Sequence, residues 1–110
     1  MYVYRMTVDR VVDGDTIDAT VDLGFSVFVK ERIRLLGINA PETRGTSRER
    51  GLASKEWLEK RIEGRTLVVE TQKDKTGKFG RMLGTISEPG AHVTINEEMV
   101  LNGKAVAQTY

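Results

Sequence analysis

From Thr16 to Val21 the side chains alternate without a break, Ile17, Ala19 and Val21 on one side and Asp18 and Thr20 on the other. Strand side chains repeat every two residues, so a run of this kind buries one face only as a β-strand. Strands are expected on either side of it. Tyr2 to Val12 is rich in aromatic and β-branched residues and runs into Asp13-Gly14, a strong hairpin signal. After Gly24 the odd positions Phe25, Val27, Val29, Ile33 and Leu35 define the buried face of a long third strand that closes an antiparallel meander.

Beyond the meander, Thr46-Ser47-Arg48-Glu49 has the form of a capping box, and Ala53, Trp57, Leu58 and Ile62 recur at helical spacing until Gly64, which predicts one amphipathic helix. Thr66 to Thr71 and Arg81 to Ile86 read as two more strands, joined by a polar loop from Gln72 to Lys78. Thr94-Ile95-Asn96-Glu97 repeats the capping-box pattern and predicts a short helix to Asn102, stopped by Gly103. Five short strands with a helix inserted after the third are what a small Greek-key barrel of the oligonucleotide/oligosaccharide-binding type (OB-fold) needs, and other five-stranded α+β sheets share the same periodicity. The expected class is therefore mainly β with helices: an α+β, five-stranded barrel carrying two to three helices.

A chain of 110 residues fits one domain, residues 1–110, with one modest core. The longest clean apolar run, Val27-Phe28-Val29, is far below the roughly 20 residues of a spanning helix, so no membrane association is expected. Met1 to Val8 reads as strand and lacks the apolar stretch of a secretory signal, which favours the cytoplasm. With no cysteine there are no disulfides or thiolate metal sites, and with a formal net charge of +1 any nucleic-acid site has to come from local charge.

Two segments carry local chemistry: Asp13-Gly14-Asp15-Thr16, and Arg34-Leu35-Leu36-Gly37-Ile38-Asn39-Ala40-Pro41-Glu42. Arg34 lies on the polar face of the third strand, and Pro41 forces Glu42 past the strand end into a loop. Each residue also has a plain reading. Asp13 and Asp15 suit a tight turn in which the glycine takes positive φ, and Arg34 and Glu42 suit a solvated strand and loop. An EF-hand fails on spacing, because the twelfth position from Asp13 is Gly24, where a bidentate glutamate is required.

Taken jointly, Asp13-Gly14-Asp15-Thr16, then Arg34 to Glu42, then Lys78-Phe79-Gly80-Arg81 resemble the staphylococcal nuclease (thermonuclease) family, over a stretch from Arg10 to about Gly103. The resemblance implies the same barrel with a calcium-dependent phosphodiesterase site. It implies Asp15 and the Ala40 carbonyl as calcium ligands, Glu42 as general base and water-mediated metal contact, and Arg34 and Arg81 as the arginines gripping the scissile phosphate. Lys78 and Phe79 match a lysine-tyrosine pair on a terminal phosphate, and Asp13 matches a supporting acid. Arginine suits its task because a guanidinium fork donates two parallel hydrogen bonds to phosphate oxygens and stays charged, so lysine should be a poor substitute.

The chain departs from the family pattern at four places. Asn39 stands where the best-known members have a second calcium-ligating aspartate; two unit charges about 4 Å apart interact by roughly 4 kcal/mol gross near a protein surface, so weaker calcium binding is expected, with the amide oxygen still able to ligate. Phe79 lacks the tyrosine hydroxyl, and the base-stacking tyrosine pair is represented by at most Tyr110. The loop after Glu42 is shorter than in the best-known secreted member, yet Arg44, Arg48 and Arg50 keep it basic, either to meet a polynucleotide backbone or as a solvated helix entry. Trp57 reads as helix packing, His92 has no catalytic pattern around it, and Lys73 and Lys75 read as solvated loop.

The function expected from the resemblance is calcium-dependent hydrolysis of single-stranded or open DNA and RNA with little sequence preference, leaving 3′-phosphate ends, by a monomer. The alternative is a barrel that has lost catalysis and binds nucleic acid or protein; Asn39 argues for it, and retention of Asp15, Arg34, Glu42 and Arg81 argues against it.

Overall fold

The computed structural model describes residues 2–73 and 82–108. The alternating segments form β1 (Tyr2–Asp13), β2 (Thr16–Asp22) and β3 (Phe28–Leu35), an antiparallel meander in which Val8 lies opposite Ala19 and Ile17 opposite Ile33. A two-residue strand, β4 (Ile38–Asn39), leads through a 3₁₀ turn at Gly45–Ser47 into α1 (Arg48–Ile62). Then come β5 (Thr66–Lys73), β6 (Met82–Ser87), α2 (Ile95–Leu101) and a second two-residue strand, β7 (Val106–Ala107). The five longer strands close into a barrel in the order β1-β2-β3-β6-β5, with β3 and β6 parallel and the other pairs antiparallel. This is the expected OB-like α+β architecture.

Inward-facing residues fill the barrel: Met6, Val8 and Val11 from β1, Ile17, Ala19 and Val21 from β2, Ile33 and Leu35 from β3, Leu67 and Val69 from β5, and Ile86 from β6. Leu58 and Ile62 of α1 and Ile95 and Met99 of α2 join the same cluster, α1 packing on β1 and α2 on β6. Trp57 is half-buried against this core, as helix packing predicts. Gly84 is the tight point of the barrel wall, since a Cβ there would lie 2.7 Å from Ile33 Cγ2 and 2.8 Å from Val69 Cγ2. Among the described residues no helix is long and apolar enough to cross a membrane.

The structure corrects the expected third strand, which begins at Phe28 rather than after Gly24. Gly24, Phe25 and Ser26 all take positive φ, and Leu23 and Val27 close the turn by backbone hydrogen bonds of 2.9 Å and 3.0 Å. A left-handed turn ends the alternation, so Phe25 is 99% exposed and Val27 is exposed instead of joining the buried face. In α1 the buried stripe is Gly51, Ser54, Leu58 and Ile62; Ala53 lies outside it.

The capping box expected at Thr46–Glu49 does not form. Ser47 is the N-cap, and its hydroxyl donates to the carbonyls of Glu42 (3.0 Å) and Arg44 (3.4 Å) instead of accepting from the helix. The second box does form: Thr94 Oγ1 accepts from the Glu97 amide at 3.0 Å, and Glu97 Oε1 accepts from the Thr94 amide at 3.4 Å.

Two polar arrangements hold the helices. The Arg61 guanidinium pairs with both carboxylate oxygens of Glu98 (2.8 and 3.1 Å) and with Glu88 (2.9 Å), tying α1 to α2 and to the chain after β6. The paired carboxylates hold the Arg61 guanidinium well above its ordinary range, and the same arginine, with help from Arg65, holds the Glu88 carboxyl below its own. Buried Asn96 accepts from the Ile86 amide (3.0 Å) and donates to the carbonyls of Leu36 (2.8 Å) and Gly84 (3.1 Å), fastening α2 to β6 and to the turn after β3.

Candidate active site

The β1–β2 hairpin turns through Gly14 and Asp15, with Asp13 opposite Thr16. Gly14 is not among the residues of positive φ, so the expected reason for the glycine is replaced by another. A Cβ at Gly14 would lie 2.8 Å from Ala40 Cβ and 2.9 Å from Ser54 Cβ. The missing side chain lets the hairpin, the loop after β3 and α1 meet at one point.

That approach fixes Asp15. Its backbone carbonyl accepts from Leu35 N at 2.8 Å, its Oδ2 from Ala40 N at 2.9 Å, and its Oδ1 from Thr16 Oγ1 at 3.1 Å. Arg34 stands opposite Thr16 across the β2–β3 ladder, and its guanidinium folds into the turn that follows. One nitrogen donates to the carbonyls of Leu35 (3.3 Å) and Ile38 (3.1 Å); the other donates to Asn39 Oδ1 (3.2 Å) and lies 3.5 Å from Asp15 Oδ2. The Arg34 and Asp15 side chains are only 15% and 13% exposed, so this is a preset ion pair rather than a solvated one.

The loop carrying Asn39, Ala40 and Glu42 is held from both sides. Asn39 pairs with Val106 and Ile38 with Ala107, and Gln108 N donates to the Gly37 carbonyl at 2.8 Å. On the helix side, a Cβ at Gly51 would fall on the Glu42 carbonyl and 2.7 Å from Thr43 N, so α1 lies directly on the loop backbone. Thr43 Oγ1 donates to Asp13 Oδ1 at 3.2 Å and ties the loop back to the hairpin. The Glu42 side chain is exposed and has no hydrogen-bond partner among the described residues.

All six described residues singled out from the sequence, Asp13, Asp15, Arg34, Asn39, Ala40 and Glu42, border one polar cavity of about 560 Å³. Arg81, Lys78 and Phe79 lie outside the described residues, as does Tyr110. Thr43 and Arg44 also border the cavity; from the sequence Arg44 reads only as part of a basic loop, for a polynucleotide backbone or a solvated helix entry, and Thr43 has no mark but its proximity to Glu42. Gly51 carried a weak signal, since a glycine inside a helical pattern costs the helix about 1 kcal/mol relative to alanine.

The cavity donors are carboxylate, amide and peptide oxygens, the set a hard cation takes. Among the described residues no group of three or more His, Cys, Asp or Glu forms a cage, so a cation here would need the Asn39 amide and the Ala40 carbonyl beside Asp15 and Glu42. On donor chemistry the residues fit calcium.

Fold and cavity together define an OB-type barrel bearing an acidic, arginine-containing pocket where its hairpin, a strand end and a helix meet. The profile of the family described as staphylococcal nuclease homologue matches residues 32–110, and the chain belongs to that family. It is 35% identical over 113 residues to Protein ParB of Escherichia coli, an alignment covering 96% of this chain and 58% of that protein. It is 34% identical over 112 residues to Endonuclease YhcR of Bacillus subtilis (strain 168), covering 93% of this chain and 9% of the relative. The chain thus spans a little over half of one curated relative and a small part of the other.

Proposed function

We infer that this protein is a calcium-dependent phosphodiesterase acting on single-stranded or open DNA and RNA. The observation that supports this best is the convergence of Asp15, Arg34, Asn39, Ala40 and Glu42 on one cavity within a nuclease-family barrel. Asp15, Asn39 and the Ala40 carbonyl would hold the cation, with Glu42 alongside. Bound there, calcium would supply positive charge against the phosphate and a Lewis-acidic place for water. Arg34 binds a non-bridging phosphate oxygen and stabilises the charge that builds on the equatorial oxygens in the transition state. Glu42, exposed and without a hydrogen-bond partner among the described residues, takes the proton from water as the new P–O bond forms. The bond to the 5′ oxygen breaks, leaving a 3′-phosphate, and the departing oxygen takes a proton from solvent water to become the 5′-hydroxyl. Arg81 is assigned the second clamp and Lys78 and Phe79 a terminal-phosphate contact on the sequence pattern.

The end groups test this assignment. Digestion of a short oligonucleotide with calcium should yield 3′-phosphate ends, whereas 5′-phosphate ends would overturn the direction of cleavage. One feature favours a second reading, a binding barrel without catalysis: Asn39 brings a neutral amide to the cavity, and Arg34 already donates to it. Tight binding of a nucleoside 3′,5′-bisphosphate without hydrolysis of any strand would support that reading.

A further inference from the structure

Behind the wall formed by Asn39, Ala40 and Pro41 lies a second cavity, of about 320 Å³, between α1 and the segment entering β7. These three residues border both cavities, so the two are neighbours across one short stretch of backbone. Their charges differ. The first contains Asp13, Asp15 and Glu42 with Arg34 and Arg44. The charged residues bordering the second are Arg50 and Lys104, with no carboxylate among its described lining. Neither cation forms an ion pair among the described residues. Arg50 is exposed on the first turns of α1, and Lys104 is half-buried. The segment bearing Lys104 is anchored by Ser54, whose hydroxyl donates to the Lys104 backbone carbonyl at 2.6 Å, leaving the ammonium unconstrained by that bond.

We propose that this second cavity is the seat of the phosphodiester flanking the scissile one, held by Arg50 and Lys104, so that the protein takes a polynucleotide strand rather than an isolated diester. The argument rests on the phosphodiesterase reading for the location of the scissile phosphate. A strand carries one negative charge per nucleotide, and the three carboxylates of the first cavity repel a second phosphate there. Crossing the Asn39–Pro41 wall brings the next phosphate to two cations without an ion-pair partner among the described residues, and away from those carboxylates.

The test is the salt dependence of binding to dodecathymidylate in chelator, where the strand stays intact. Each phosphate contact to a single strand contributes about 0.7 to the slope of log affinity against log salt. Arg50→Gln with Lys104→Gln removes that one phosphate contact and should lower the slope by about 0.7. Arg50→Gln alone, on an exposed helix surface, should lower it by part of that amount and does not depend on Lys104 for folding. Lys60→Gln, about 15 Å further along α1, changes net charge equally and should leave the slope as it was. An unchanged slope in the double variant, or an equal fall with Lys60→Gln, would overturn the proposal. A protein that hydrolyses DNA with calcium yet keeps its slope loses this subsite and retains its phosphodiesterase reading. One that hydrolyses nothing but shows the drop keeps the Arg50–Lys104 contact and loses the catalysis.

Discussion

Arg34 shows why single residues in this cavity are hard to exchange. Its guanidinium spans two backbone carbonyls, an amide and a carboxylate from a 15% exposed position, a pattern a single ammonium cannot reproduce. Asn39 is the residue where one atom-scale change should show most. Asn39→Asp adds a negative charge beside Asp15, so calcium titration should show affinity raised by at least tenfold, and equal affinities would discard the account of Asn39 as a weakened ligand. Gly51 works by having no side chain. Gly51→Ala has to push α1 off the Glu42 loop, costing about 1–3 kcal/mol in a denaturant titration and lowering hydrolysis as well; unchanged stability would remove the clamp. The six described candidate residues stand out in the sequence because each brings a charge or an oxygen to a recognisable pattern, and the structure places them around one cavity. The two glycines that assemble them were less legible, since what they permit depends on backbone from distant parts of the chain. Asp13-Gly14 even pointed to the wrong reason, positive φ instead of contact with Ala40 and Ser54.

At the scale of elements, the ion network of Arg61 with Glu88 and Glu98 sets how stability responds to acid. Glu88 is held below its ordinary value of 4.5 by Arg61, and Asp18 below 3.8 by Arg32 and Arg10. A carboxyl whose folded pKa is depressed adds stability above its unfolded value and loses it as pH falls through the folded one. The denaturant midpoint should therefore decline from about pH 5 downward, and Arg61→Gln should lower stability by about 2 kcal/mol near neutrality while flattening that decline. A midpoint indifferent to pH between 5 and 3 would contradict it. The strands with long alternation and the Thr94–Glu97 box were legible because local sequence determines them. The start of β3 was not, because a turn of positive φ carrying Phe25 looks apolar and alternating until its backbone is seen. Nor were β4 and β7, whose two residues each are too few for a period; yet they hold Asn39 in place.

For the whole molecule, the barrel brings together segments far apart in the chain. Asp13 and Asp15 come from the first hairpin, Arg34 from the end of β3, Glu42 from the loop under α1, and β7 closes over Asn39 from near the last described residues. No one segment holds the cavity, so family membership and closed-barrel topology matter as much to the functional reading as any motif. Incubation with heat-denatured DNA, with calcium or with chelator, beside Glu42→Gln prepared identically, tests the central claim most directly. The account predicts degradation that requires calcium and falls by about 10²–10⁴-fold in Glu42→Gln. Degradation that proceeds in chelator, or that Glu42→Gln leaves at the parent rate, would contradict it.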